Sequence, residues 1–385
     1  MIMIIRSINL STKRSLFLFG ARATGKTTLL KNKFKPENAF FINLLDRSLL
    51  AKLQSYPNEL EPMILPSIEQ GKLIIIDEVQ RIPELLDIVH KLIQEKKALF
   101  ILTGSSARKL KRGSANMLAG RASVYRLYPL LFSELKENFS LEEALSWGTL
   151  PELSLMDDDE EKYRFLDAYG ETYVQEEIVA EQIIRNLPPF RRFLQVASQM
   201  NSKVINASKI AADINTNPSN VRNYFEIIED TLLGFKLNAY HSSIRKRQRQ
   251  NPKFYWFDTG LIRSLQKRLF LPLEPSTSYY GELFETFIVN QIKTTLEYKG
   301  KPFDLSYLLT KDGAEIDLII ERAGHKTICL EIKSSQSIRK ESLNNLRTLS
   351  ADIQNSEAIC IYNGTQELRY DKIKVIPWKE FFNYL

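Results

Sequence analysis

Over its first third the chain alternates short, almost wholly apolar runs with longer amphipathic stretches. SLFLF (15–19), ENAFFINL (37–44), GKLIIIDEVQ (71–80) and ALFILTGSS (98–106) each carry such a run. The apolar runs are too short for helices. They are too uniform for strands with one wet face. Strands buried on both faces of a parallel sheet have this look. Helical patterns between them, such as Pro83–Glu95, predict a parallel sheet with helices on both faces, and SVYRLYPL (123–130) adds a further strand.

From about residue 135 the alternation stops and helical patterns take over. They include 160–184, 188–200 and the stretch NASKIAADINTNPSNVRNYFEIIEDTLLGFKL (206–237). In the last, Ser208 is placed to cap a short helix ending near Ile214. After NTNPS, Asn217 or Pro218 opens a second helix whose Val221, Tyr224, Phe225 and Ile228 fall at core spacing. Gly234 ends that helix and FKLNAYH begins a wing-like strand. The terminal third returns to mixed patterning. GELFETFIVNQIKTTLEYKG (281–300) reads as a helix, LSYLLT (305–310) as a strand, and AEIDLIIERAGHKTICLEIKSS (314–335) as a hairpin turning at RAGHK. Pro188-Pro189 and LPLEPSTSYYG (271–281) are the best linkers. The expected segments are 1–135, 136–270 and 271–385.

Composition refines this picture. The chain has 385 residues, 44% of them hydrophobic and 26% charged, with a net charge of +7. A basic balance permits nucleic-acid binding. The charge is uneven: MDDDEEKYR (156–164) is acidic, while SIRKRQRQNPK (243–253) is basic, with Arg245, Lys246, Arg247 and Arg249 at its centre. No run of 18 apolar residues suggests a membrane span, and the start of the chain lacks the marks of a signal peptide. The two cysteines, Cys329 and Cys360, lie in apolar runs and read as buried free thiols. These features point to the cytoplasm.

The chemistry begins in FLFGARATGKTTLLK (17–31). Gly20, Ala21, Arg22, Ala23, Thr24, Gly25, Lys26 and Thr27, with Thr28 beyond, fit a phosphate-cradling loop between a strand and a helix. Backbone N–H groups and the helix N-terminus suit anionic phosphates. Lys26 reaches the β- and γ-phosphates, and the Thr27 hydroxyl suits Mg²⁺. Asp77 and Glu78 end the strand GKLIIIDE, Asp77 to hold the Mg²⁺ shell and Glu78 to activate water. Thr103, Ser105 or Ser106, ending a third strand, is placed to sense the γ-phosphate. Arg121 is either an arginine finger for a neighbouring subunit or a surface arginine. These features imply a bound polyphosphate with Mg²⁺; that the nucleotide is ATP is implied by the family resemblance given below.

On the second helix of the middle segment, Ser219, Asn220, Arg222 and Asn223 carry chemistry suited to phosphates and base edges. Glu226, Glu229 and Asp230 on the same helix disfavour it. In the terminal hairpin, Glu315 and Asp317 share one strand face, as do Glu331 and Lys333. Asp317 followed after thirteen residues by Glu331-Ile332-Lys333 fits a D…ExK pattern. Two carboxylates there suit a divalent cation, and a lysine suits a charged transition state.

FGARATGKTTLL, IIIDEVQRIPELL, FILTGSSARKL and LAGRASVYRLYPLLFSEL resemble AAA-type P-loop ATPases of bacteria and archaea joined to a C-terminal domain of unknown function. The resemblance continues through GTLPE (148–152), YVQEEI (173–178) and FYWFDTGL (254–261) and so covers nearly the whole chain. It implies an α/β, RecA-like parallel-sheet ATPase core of the ASCE class, a winged helix, and an α/β terminal domain similar to the PD-(D/E)xK restriction-endonuclease fold. Similarity to that superfamily adds Glu285 as a fourth acid completing the metal shell. The expected function is Mg²⁺-dependent ATP hydrolysis coupled to a DNA-binding or nuclease-like module, with a homo-oligomer possible. The rival is a nucleotide-dependent switch that recruits a protein partner and carries an inert nuclease fold.

Overall fold

A computed structural model describes residues 4–106, 120–173, 187–241 and 250–385. The basic run at 245–249 and most of YVQEEI lie outside these residues. Contacts gather the chain into two units. One comprises Met1–Leu130, Leu150–Glu152 and Ile227–Leu233; the other comprises Leu131–Thr149, Leu153–Glu226 and Gly234–Leu385.

The first unit is built on five strands: β1 (Ser15–Phe19), β2 (Ala39–Asn43), β3 (Leu73–Asp77), β4 (Phe100–Gly104) and β5 (Ala122–Arg126). They pair in the order β2-β3-β4-β1-β5, every pair parallel. Parallel neighbours require crossovers. Those described are α1 (Lys26–Lys33), α2 (Arg47–Ser55), α3 (Leu60–Glu69) and α4 (Leu85–Lys96). Phe17, Ile74, Ile76 and Leu102 of the sheet pack with Leu53, Ile64, Val89 and Leu92 of the helices in one buried cluster. The apolar runs of β1, β3 and β4 are thus central strands, while the edge strands are less covered: β2 exposes Asn43, and β5 exposes Ser123, Val124 and Arg126. Placing β4 between β3 and β1 brings the C-terminal tips of all three side by side, with Phe19 opposite Gly104 and Ile76 opposite Leu102.

The second unit holds an eight-stranded mixed sheet. Its strands are β6 (Gly234–Ala239), β7 (Lys253–Trp256), β8 (Phe303–Leu309), β9 (Glu315–Arg322), β10 (Thr327–Lys333), β11 (Ser356–Tyr362), β12 (Leu368–Tyr370) and β13 (Ile373–Pro377). Their order is β12-β13-β11-β10-β9-β8-β6-β7. β9 and β10 form the expected antiparallel hairpin, and β10 pairs parallel with β11. Gly324, in the connecting turn, takes a φ of 78°, a region costly for a residue with a Cβ. Cys329 and Cys360 are buried and free, as expected.

Three local expectations are corrected. The short helix Ala207–Asp213 is capped by Asn206, whose side chain accepts the Lys209 N–H, and not by Ser208. Asn206 stands one residue before the helix, where an oxygen reaches the third helical amide; Ser208 is already inside it. Pro188 and Pro189 are no linker. They lie in the first turn of the helix Leu187–Gln199, where a missing N–H breaks no intrahelical bond. The second helix of the pair, Pro218–Asp230, starts where expected, and Asn217 Oδ1 accepts the Asn220 N–H at 2.8 Å. It ends at Asp230, while Gly234 opens β6 instead of closing the helix.

Candidate functional site

The loop after β1 is shaped by its smallest residues. A Cβ on Gly20 would stand 2.6 Å from the Leu127 carbonyl oxygen, and Gly25 takes a φ of 88° at the start of α1. Ala23 is also left-handed, with a φ of 62°. The Thr24 hydroxyl donates to the Ala21 carbonyl at 2.8 Å and fixes the curl from inside. Lys26 is buried, and its Nζ donates to the carbonyls of Gly20 at 2.7 Å and Ala21 at 3.3 Å. Arg22 on the loop and Thr28 in the first turn of α1 are exposed.

The loop meets the tip of β3. The Thr27 hydroxyl donates to Asp77 Oδ2 at 2.7 Å, and the Thr103 hydroxyl from the end of β4 donates to Asp77 Oδ1. Thr103 Oγ1 also accepts the Glu78 N–H at 3.1 Å. Glu78 itself is left-handed, with φ 63° and ψ 44°, which turns the chain out of the strand directly after Asp77. Its Oε2 accepts a hydrogen bond from Gln80 Nε2 at 2.5 Å, and the same Nε2 donates to Ser105 Oγ at 3.1 Å. Ser105 and Ser106 are buried. A hydroxyl and a carboxylate held together beside an amide-lined loop are the donor set that Mg²⁺ and a polyphosphate require. The residues therefore fit a Mg²⁺–nucleotide, with Thr27 and Asp77 toward the metal. Arg121 is exposed, its Nη1 lying 2.7 Å from His90 Nε2 of its own chain.

Two residues here were not found by sequence reading. Arg6, upstream of β1, donates to the carbonyls of Thr24 at 2.9 Å and Tyr128 at 2.6 Å, bracing the loop from behind. Gln80 ties Glu78 to β4. The adjoining DEVQ was a visible signal for Gln80; an isolated arginine in an irregular segment gives none.

The second constellation lies in the terminal sheet. Asp317 on β9 accepts the Ile332 N–H of β10 at 2.7 Å, which places it beside Glu331. Lys333 Nζ pairs with Glu331 Oε1 at 2.6 Å. Glu331 Oε2 is buried and makes no hydrogen bond among the described residues. Burial, then the charge of Asp317, pushes the Glu331 carboxyl up to about 8. Burial likewise raises Asp317, against the pull of Lys253 and Lys333. Held this high, the Glu331 carboxyl stays ionised at neutral pH only with added positive charge. The orphaned Glu331 oxygen and its chemistry fit a divalent cation between Asp317 and Glu331. Among the described residues, however, no three His, Cys, Asp or Glu side chains are gathered to hold a metal ion.

Glu285, on the helix Ser278–Lys299, belongs to the same cluster, since the charge of Asp317 bears on its carboxyl, but its hydrogen-bond and ion-pair partners come from β7. Its Oε1 accepts the Tyr255 hydroxyl at 2.6 Å and lies 3.7 Å from Lys253 Nζ. Burial raises its carboxyl to about 7, Lys253 opposing. Lys253 also pairs with Glu315 Oε1. Burial disfavours the Lys253 ammonium, but Glu285 and Glu315 outweigh it and hold the group at about 12. Lys253 and Tyr255 come from β7 and were missed as site residues. Nothing in KFYW announces a partnership with acids thirty and sixty residues on.

The exposed face of the helix Pro218–Asp230 carries Ser219, Asn220 and Arg222, as expected, whereas Asn223 is half-buried. No helix among the described residues is long and apolar enough to cross a membrane.

Comparison with known proteins matches residues 12–136 to the family model of an AAA domain. Residues 138–273 and 280–381 match two families described as domains of unknown function. An uncharacterized protein of Mycobacterium tuberculosis is 28% identical over 373 residues, covering 94% of this chain and 79% of that one. An uncharacterized protein of Methanocaldococcus jannaschii is 25% identical over 420 residues, covering 98% of this chain and 90% of that one. Among solved structures, the Aeropyrum pernix ORC1 protein in complex with DNA superposes with a TM-score of 0.29 at 10% identity, over 66% of this chain and 86% of that one, too slight a likeness to carry weight. The AAA match, the five-stranded parallel sheet and the loop geometry together support a P-loop ATPase core over the first third of the chain.

Proposed function

We propose that the protein is a cytoplasmic Mg²⁺-dependent ATP hydrolase whose nucleotide state is coupled to a DNA-binding or nuclease-like module. The observation that carries the ATPase half is the 2.7 Å bond between Thr27 and Asp77, which joins the phosphate loop to the acidic strand tip. Loop amides and Lys26 bind the phosphates. Thr27 and Asp77 hold the metal, and Glu78 takes a proton from the attacking water. Mg²⁺ held there by Thr27 and Asp77 would supply positive charge against that developing on the phosphates. Thr103, tied to both Asp77 and the Glu78 amide, keeps metal holder and base in fixed relation.

The coupled half rests on two features of the second unit. The paired helices Ala207–Asp213 and Pro218–Asp230 followed by β6 suit a winged helix that presents Ser219, Asn220 and Arg222 to DNA. The β9–β10 hairpin suits a PD-(D/E)xK-like fold, with Asp317 and Glu331 toward a metal and Lys333 toward a scissile phosphate. A divalent cation held there by Asp317 and Glu331 would supply an activated water and charge for the leaving oxygen. In the second reading, favoured by the absence of a three-residue metal cluster among the described residues, the nuclease fold is inert and the protein is a nucleotide-dependent switch that recruits a protein partner. Wild type, Glu78→Gln and Asp317→Ala, assayed together for ATP turnover, DNA retention and strand scission with Mg²⁺, separate the two. DNA retention that falls steeply with salt supports the first reading. Absence of DNA binding in every nucleotide state supports the second.

A further inference from the structure

We infer that Lys253 is the built-in counter-ion of Glu285 and Glu315, so that this site takes one divalent cation, held by Asp317 and Glu331 without Glu285. The inference rests on reading Asp317 and Glu331 as metal ligands. It comes from how the partners are divided. The Lys253 side chain is only 6% exposed, its ammonium contacting Glu315 and lying 3.7 Å from Glu285. The ring of Tyr307 lies beneath it, 5.5 Å from Nζ to the centroid. Two residues along β7 and on the same strand face, Tyr255 donates its hydroxyl to the Glu285 oxygen that faces Lys253. That oxygen therefore has a phenol and an ammonium as neighbours.

The unmet demand lies on the other side of the cluster. Glu331 has one oxygen paired with Lys333 and the other buried, with no hydrogen bond among the described residues. Buried charge without a partner is expensive, so the unbalanced oxygen marks where a cation belongs. Among the described residues no three His, Cys, Asp or Glu side chains are placed to hold a metal ion, which accords with Glu285 and Glu315 standing outside the shell.

The test counts bound Mn²⁺ by electron paramagnetic resonance on the full chain without nucleotide. Asp317→Asn defines which bound ion belongs to this site. Wild type is expected to take one Mn²⁺ that Asp317→Asn loses, and Glu285→Gln to keep it with affinity within threefold. A tenfold or greater loss in Glu285→Gln overturns the inference. If Asp317→Asn loses nothing, the ligand reading itself fails, and with a different signature. Lys253→Met, where it folds, should admit a second Mn²⁺; a folded Lys253→Met that still binds one also overturns the inference. Should that variant not fold, Glu285→Gln decides alone.

Discussion

Lys26 and Glu78 are set in opposite ways, and each makes a distinct prediction. Lys26 is buried with its ammonium on loop carbonyls, so the charge is aimed inward by the backbone itself. Lys26→Ala should weaken binding of a fluorescent ATP analogue at least tenfold, because it removes the ammonium that the loop carbonyls of Gly20 and Ala21 hold. Glu78 is anchored through its amide to Thr103 and through its carboxylate to Gln80. Glu78→Gln keeps the size and the left-handed turn but removes the base. It should bind the analogue within threefold of wild type while turnover falls at least 100-fold; equal turnover would refute the role. Asp258 gives a pH signature in the second unit. It accepts the Thr149 N–H at 2.7 Å and the Leu261 N–H at 3.2 Å, yet burial raises its carboxyl from 3.8 to about 6. A raised acid binds its proton more tightly folded than unfolded, so its contribution is full below pH 4 and is lost as pH rises through 6. That loss is about 3 kcal/mol. Urea unfolding of wild type and Asp258→Asn between pH 4 and 7 should show this extra slope in wild type only.

At the scale of elements, the helix pair of the middle segment offers a sharp contrast. Asn206 and Ser208 are two residues apart and both polar, but only Asn206 caps the helix Ala207–Asp213. Asn206→Ala should cost about 1 kcal/mol of stability in urea unfolding, whereas Ser208→Ala should be nearly silent. The next helix carries the nucleic-acid prediction. Arg222 is exposed on the face that also bears Ser219 and Asn220. Arg222→Ala should weaken DNA retention and lower the salt slope by about one, the mark of a lost phosphate contact. The pattern predicted both helices, since each buries residues at helical spacing. It misassigned the cap because several small polar residues cluster at that junction, and only the chain's exit angle chooses among them.

At the scale of the molecule, the phosphate loop and the acid–lysine cluster belong to different compact units, each with its own sheet. Asp317→Ala is therefore expected to leave ATP turnover within twofold of wild type, while removing Mg²⁺-dependent scission wherever wild type shows it. A matching loss of both activities would mean the two chemistries share a determinant. The second sheet also shows why domain limits are hard to read from composition. β6 and β7 precede the Pro-rich stretch at 271–281, yet they continue the sheet formed by β8 to β13 after it.

What the sequence alone determined is local. Strand–loop–helix geometry around Gly20–Thr27, the acidic end of β3 and the β9–β10 hairpin are each written in consecutive residues, because backbone sterics and periodic burial act over a few positions. The tertiary structure decided which distant groups meet. Arg6 reaches the loop at Thr24, Gln80 spans to Ser105, and Lys253 sits with Glu285 and Glu315. Such partnerships arise only when strands are ordered side by side and charges leave water together, so they depend on the register of separate elements and have no trace in the spacing of any one segment.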